Sequence, residues 1–166
     1  MTRANAAANT ALSPDFQDFV ASLDEHQVDA VLVGGYALGV HGVIRATSDI
    51  DFLYRRTAKN VRALAAAMDA FGAPRSVVDA DALMTTGIVT QFGQPPQRID
   101  LLNELDGVTF AAVWKGAVTI RIEGRSLRVI GLAELRKNKA STGRKKDADD
   151  VRRLDARRAR SGRTPK

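Results

Sequence analysis

The chain has 166 residues, 45% of them hydrophobic and 5% aromatic, with two histidines, no cysteine and a formal net charge of +6. That length suits one domain with an ordinary core, while the absence of cysteine excludes disulfides, thiolate nucleophiles and cysteine-ligated zinc. No apolar run approaches the roughly 20 residues that span a bilayer, and "MTRANAAANTALS" lacks the apolar centre of a signal peptide, so the expected setting is cytoplasmic, with no membrane partner.

Ser13-Pro14 is an N-cap followed by proline at the first helical position, and Phe16, Phe19, Val20 and Leu23 follow helical spacing, which predicts a helix over 14–26. "DAVLVGG" (29–35) is a short buried strand ending at two glycines, and "YALGVHG" a short helix. "SDIDFLY" (48–54) alternates, with Ile50, Phe52 and Tyr54 on one face and Asp49, Asp51 and Leu53 on the other. Thr57 caps a helix with the stripe Val61, Leu64, Ala65 and Met68, closed by Gly72 and Pro74. A short helix near 79–85, strands at 87–93 and 97–103, and a short helix in "VTFAAVWKG" follow. "AVTIRIEGRSLRVIG" is a hairpin turning at Glu123-Gly124-Arg125. "LAELRKNKAS" is helical, Thr142-Gly143 interrupts, and "KDADDVRRLDARRAR" resumes as helix with Val151 and Leu154 inward. The final "SGRTPK" reads as disordered.

Charge is unevenly placed. Residues 136–166 hold 13 lysines and arginines against 4 aspartates, whereas the first 135 residues hold 12 basic and 15 acidic. A basic end of this kind is either a solvated helix face with a frayed tail or a surface for a polyanion such as nucleotide phosphates or nucleic acid.

Two short stretches carry chemistry. After Gly34-Gly35 the backbone N–H groups are bare, so a phosphate can approach them and the start of the following helix; the plain alternative is a turn that ends a strand. No Gly-Lys-Ser/Thr follows, which excludes a Walker-type loop, and G-x-G-x-x-G is absent. Asp49 and Asp51 lie two residues apart on one strand face, about 6.5–7 Å at the backbone, from where both side chains can reach one divalent cation or two adjacent ones. Mg²⁺ suits such hard oxygen donors and cancels their repulsion. The plain alternative is a solvated strand edge. Two-metal transfer calls for a third carboxylate from a neighbouring strand, and "RIDLL" supplies Asp100 between Ile99 and Leu101.

With these parts together, "LVGGYALGVHGVIRATSDIDF" resembles the signature of the minimal nucleotidyltransferases of the DNA polymerase β superfamily: a hydrophobic strand, a glycine pair, a short helix, then Asp-x-Asp on the next strand. The Gly-Gly…His-Gly…Arg-x-Thr-x-Asp-Ile-Asp form is similar to the branch related to abortive-infection toxin nucleotidyltransferases, as is "KNKASTGRKKDADDVRRL" near the C-terminus. The resemblance covers roughly residues 29–154. It implies an α/β (α+β) nucleotidyltransferase fold, a small mixed sheet flanked by helices with further C-terminal helices, over residues 13–156, between a flexible arm (1–12) and a basic disordered tail (157–166). It also implies Mg²⁺ (or Mn²⁺) dependence and transfer of a nucleoside monophosphate from an NTP, ATP included, to a hydroxyl on RNA (tRNA included), a protein or a small molecule, in a toxin-like role. Carried over by position, Asp49, Asp51 and Asp100 are the metal-binding and catalytic residues, Asp100 also helping to deprotonate the acceptor. Gly34 and Gly35 hold the triphosphate, and Arg45, Lys139, Arg144 and Lys146 face phosphate, with Asp147 anchoring the basic turn. His41 reads chiefly as a turn-holding residue and Thr47 as structural. The alternative is a non-catalytic nucleotide- or nucleic-acid-binding member of the same fold, such as a toxin–antitoxin partner.

Overall fold

The computed structural model describes residues 12–162; the expected N-terminal arm, apart from Leu12, and the last four residues of the basic tail lie outside the described residues. The elements run α1 (Pro14–Glu25), β1 (Ala30–Val33), α2 (Gly34–Val40), β2 (Asp49–Tyr54), α3 (Ala58–Phe71), a 3-10 turn (Arg75–Val77), α4 (Ala80–Met84), β3 (Thr90–Phe92), β4 (Arg98–Leu102), α5 (Phe110–Gly116), β5 (Val118–Ile122), β6 (Arg125–Val129), α6 (Leu132–Ser141) and α7 (Lys145–Ser161). No helix among the described residues is long and apolar enough to cross a membrane.

Local chemistry sets the ends of the helices. Ser13 accepts from the Phe16 amide at 3.3 Å, and Thr57 from the Asn60 amide at 3.3 Å, each satisfying an otherwise orphaned donor. Gly72 closes α3 with φ +96°, a conformation open to glycine and costly for other residues. Two boundaries differ from those read in the sequence. The glycine pair opens α2 rather than closing β1. The last helix runs to Ser161, one residue past the helical reading that ended at Arg160, so residues 157–161 belong to the helix rather than to the basic disordered tail expected over 157–166. The uninterrupted run of good helix formers after Leu154, with neither glycine nor proline before Gly162, accounts for the extension.

The six strands form one mixed sheet in the order β3-β4-β2-β1-β6-β5. β2 is central, antiparallel to β1 and parallel to β4. Ile50 and Phe52 point to the side covered by α1 and α3, where Phe19 meets Phe52, Phe71 and Phe92 edge-on at 5.6, 5.2 and 5.6 Å between ring centroids. This apolar layer holds one face of β2 shut. Its alternation then turns Asp49 and Asp51 to the opposite face, where α6 and α7 leave a cleft.

Candidate active site

The register of β2 against β4 decides which side chains meet. Asp51 lies beside Asp100, and Asp49 beside Arg98. In a parallel pair, neighbours in register share a face, so one long-range pairing brings the two carboxylates of β2 to the third acid. One carboxylate oxygen from each of Asp49, Asp51 and Asp100 lies within 4.8 Å of the other two. Burial pushes the Asp51 carboxyl up to about 7, with the charges of Asp49 and then Asp100 adding to the rise and Lys139 and Arg98 only partly opposing it. Three clustered carboxylates, oxygen donors alone, fit a hard divalent cation such as Mg²⁺ or Mn²⁺.

Gly34 explains its own identity. Its φ is +71°, and a Cβ there would stand 2.2 Å from Asp51 Oδ2 and 2.9 Å from its Cγ. The bare backbone is what leaves room for the central carboxylate. At Gly35 a Cβ would crowd Thr47 Cβ and Oγ1 at 3.0 Å, and that threonine in turn donates to the Asp49 carbonyl and to Asp49 Oδ1, both at 3.1 Å. Gly34→Ala is therefore expected to displace Asp51 while leaving the distant aromatic core alone. Divalent-cation affinity should fall at least about 10-fold, the scale seen when the support of a metal ligand is lost, with a cooperative thermal transition retained. Unchanged Mn²⁺ binding by the alanine variant would refute the steric argument.

All nine residues expected at the site line one cleft of about 380 Å³: Gly34, Gly35, Arg45, Asp49, Asp51, Asp100, Lys139, Arg144 and Lys146. Val89, Leu102 and Leu105 form an apolar side of it. The basic wall is more structured than a row of free cations. Lys139 is 6% exposed, with Nζ 2.9 Å from Asp147 Oδ1 and 3.2 Å from Asp150 Oδ2. Arg144 Nε donates to Asp147 Oδ2 at 2.7 Å and the Thr142 hydroxyl donates to the same oxygen at 2.7 Å. Arg45 reaches Asp150 at 3.1 Å. Burial raises the Asp147 carboxyl, but the Thr142 and Lys139 hydrogen bonds and the Lys139 and Arg144 charges outweigh it, leaving a net lowering. His41 Nε2 donates to the Ile130 carbonyl at 2.7 Å, tying the α2–β2 loop to the end of β6.

Sequence reading missed Arg98, Gln91 and Asp150. Arg98 forms ion pairs with Asp49 at 2.6 Å and Asp100 at 2.8 Å, and Gln91 Nε2 donates to Asp100 Oδ2 at 3.1 Å. A signal for Arg98 did exist, because it precedes Asp100 by two residues on a strand and so shares its face.

No family model and no curated relative matches the chain. Solved structures do. TM1012 of Thermotoga maritima, assigned as a nucleotidyltransferase, superimposes with a TM-score of 0.60 at 11% identity, covering 90% of this chain and 98% of that one. ANT(2")-Ia, solved in complex with adenylyl-2"-tobramycin, superimposes with a TM-score of 0.51 at 16% identity, covering 90% and 97%. The chain has the nucleotidyltransferase fold, and its carboxylate cluster sits on the central strands of that fold.

Proposed function

We propose that this chain is a Mg²⁺-dependent nucleotidyltransferase that moves a nucleoside monophosphate from an NTP to a hydroxyl acceptor. The observation that carries this reading is the convergence of Asp49, Asp51 and Asp100 beneath the bare Gly34 backbone, opposite a wall of lysine and arginine. Asp49, Asp51 and Asp100 are the residues that would hold divalent cations, which when bound polarise the α-phosphate and neutralise charge on the attacking and leaving oxygens. The acceptor oxygen forms a bond to the α-phosphorus, the bond to the bridging oxygen breaks, and pyrophosphate leaves. Asp100, 6% exposed and reaching the cleft, takes the proton of the acceptor hydroxyl. Lys146 and Arg144, both exposed at the mouth, meet the β- and γ-phosphates, and Lys139 and Arg45 supply fixed positive charge behind them.

The surface beside the cleft favours a polyanionic acceptor, an RNA end. A groove of about 420 Å³ is lined by Gly42, Val43 and Ile44 of the α2–β2 loop and by Arg152, Arg153, Ala156, Arg157 and Arg160 of α7. Gly42 (φ +88°) lets the Arg157 guanidinium lie across the loop, since a Cβ there would come 2.6 Å from Nε. Arg152 pairs with Asp149, whereas Arg153 and Arg157 make no ion pair among the described residues. Lys146, Arg153, Arg157 and Arg160 share one helical face, a track of about 21 Å leading out of the cleft. Arg153→Glu/Arg157→Glu is expected to weaken an RNA acceptor at least about 10-fold at moderate salt and to flatten its log–log salt dependence by about 1.4, two single-strand phosphate contacts. NTP affinity should hold. A variant with the wild-type salt slope points instead to a protein or small-molecule acceptor.

The whole reading is tested by incubating the protein with each α-³²P-labelled NTP, Mg²⁺ and total cellular RNA, then repeating with Asp100→Asn. Label in RNA with the wild type alone is expected. Absence of label in RNA, protein and small molecules for every NTP would refute nucleotidyl transfer. The toxin-like role is read from growth arrest on expression that Asp100→Asn relieves.

A further inference from the structure

Arg98 is a basic group set against two of the three clustered acids. It lies two residues before Asp100 on β4 and beside Asp49 across the β2–β4 ladder. Its Nε donates to Asp100 Oδ1 at 2.8 Å, and Nη2 donates to Asp100 Oδ2 at 3.1 Å and to Asp49 Oδ2 at 2.6 Å. Gln91 adds a second donor to Asp100 Oδ2. Counted by oxygens, the division is uneven. Both oxygens of Asp100 are engaged, Asp49 has Oδ2 on Arg98 and Oδ1 on Thr47, and Asp51 receives no side-chain hydrogen bond among the described residues.

We propose that Arg98 is a positioning residue that latches Asp49 and Asp100 together and withholds Asp100 from a divalent cation until a nucleotide enters the cleft. The proposal rests on the nucleotidyltransferase reading above. A forked, bidentate guanidinium–carboxylate pair is among the stronger hydrogen-bonded pairings, and a lysine cannot reproduce its two-point geometry. Mg²⁺ gives up its water reluctantly and demands near-octahedral placement of its ligands, so the free ion competes poorly for an oxygen already held by an N–H. Asp51, unengaged, is the ligand open to a first cation. A triphosphate changes the balance, because it brings negative charge into the same cleft and offers the guanidinium another anion. The Arg98 side chain is 29% exposed and lines the cleft with Arg45 and Lys146, so it can exchange partners without crossing the core. A second cation, which needs Asp100, would then be held only when substrate is present, which keeps the site from being fully loaded without its NTP.

The test is Mn²⁺ binding to the full chain, followed by the electron paramagnetic resonance signal of the free ion, with and without a non-hydrolysable NTP analogue. Wild type is expected to bind one Mn²⁺ without nucleotide and a second with it. Arg98→Ala and Arg98→Lys should both tighten nucleotide-free binding by about 10-fold, the scale of a support to a metal ligand, and the alanine variant should take the second ion without the analogue. Arg98→Lys keeps the charge, so a lysine variant indistinguishable from wild type would overturn the latch in favour of simple charge repulsion. Two ions bound by nucleotide-free wild type would overturn it outright while leaving the transferase reading standing. No Mn²⁺ bound even with the analogue would defeat the transferase reading and the latch with it. Thermal melting of each variant identifies any that fail to fold, and the shorter, charge-neutral Arg98→Gln replaces such a variant in the same titration.

Discussion

Asp51→Asn is expected to abolish nucleotidyl transfer, by at least about 10²–10³-fold, and to make the metal-free protein more stable. The two effects have one cause. Asp51 sits between the two other acids with its carboxyl pushed up to about 7 by burial, then by Asp49 and Asp100. A folded-state pKa raised above the unfolded value near 3.9 means that the neutral form suits the fold. The associated stability is present below that unfolded value and is lost as pH rises from about 4 through 7. Asparagine has the shape of the neutral acid without the ionisation, so the variant should show no such loss and should exceed wild type by on the order of 1–3 kcal/mol at pH 8 without divalent ions. Mg²⁺ should stabilise the wild type at pH 8 and the variant far less. Thermal melts at pH 5 and pH 8, with and without Mg²⁺, give all four values. A variant that is less stable than wild type at pH 8 sinks the electrostatic account, and one that transfers normally sinks the assignment of Asp51.

How much of this site could be read from the residues follows from how local each feature is. Asp49 and Asp51 share a face by the two-residue period of a strand, and Ile50 and Phe52 between them announce which face is closed. Asp100 was legible for the same reason, as an acid within an apolar strand. What brings it to Asp51, however, is the parallel register of β2 and β4, set by packing across some fifty residues of chain. The glycine pair was legible as a bare turn. That Gly34 clears space for Asp51 specifically needs the left-handed φ and the fold around it. Arg98 was missed because a basic residue at a strand start reads as solvated; only the register shows it bridging two acids. The basic C-terminus was legible as charge, but composition cannot distinguish Arg153 and Arg157, open on a groove, from Lys139, buried against two aspartates.

That last distinction yields the other large expected effect. Lys139→Ala should destabilise the protein by about 3 kcal/mol, lowering the melting temperature by roughly 6–12 °C for a chain of this size, and should also raise the NTP requirement about 10-fold whatever the acceptor. Removing one partner of a buried ion pair leaves an uncompensated charge, which costs about 3–5 kcal/mol. The lower end applies because Asp147 keeps Arg144 and Thr142, and Asp150 keeps Arg45. The pH dependence carries a matching sign. Asp147 has a lowered carboxyl in the fold, so its contribution is present above the unfolded value near 3.9 and is lost as pH falls through the folded one. Without Lys139 that acid limb should move to higher pH. A neutralised variant, Lys139→Met/Asp147→Asn, removes one charge of each sign and leaves Asp150 paired with Arg45, so it should recover much of the stability, because neutral replacements of buried ion pairs are often tolerated. It should not recover NTP affinity, since the positive charge beside Asp51 is still gone. If stability and NTP affinity return together, Lys139 is a strut between α6 and α7 and the phosphates are met by Arg144 and Lys146 alone. If stability returns and affinity does not, the buried ammonium is part of the substrate's electrostatic environment, held by two acids so that its charge faces the site without the freedom of a surface lysine.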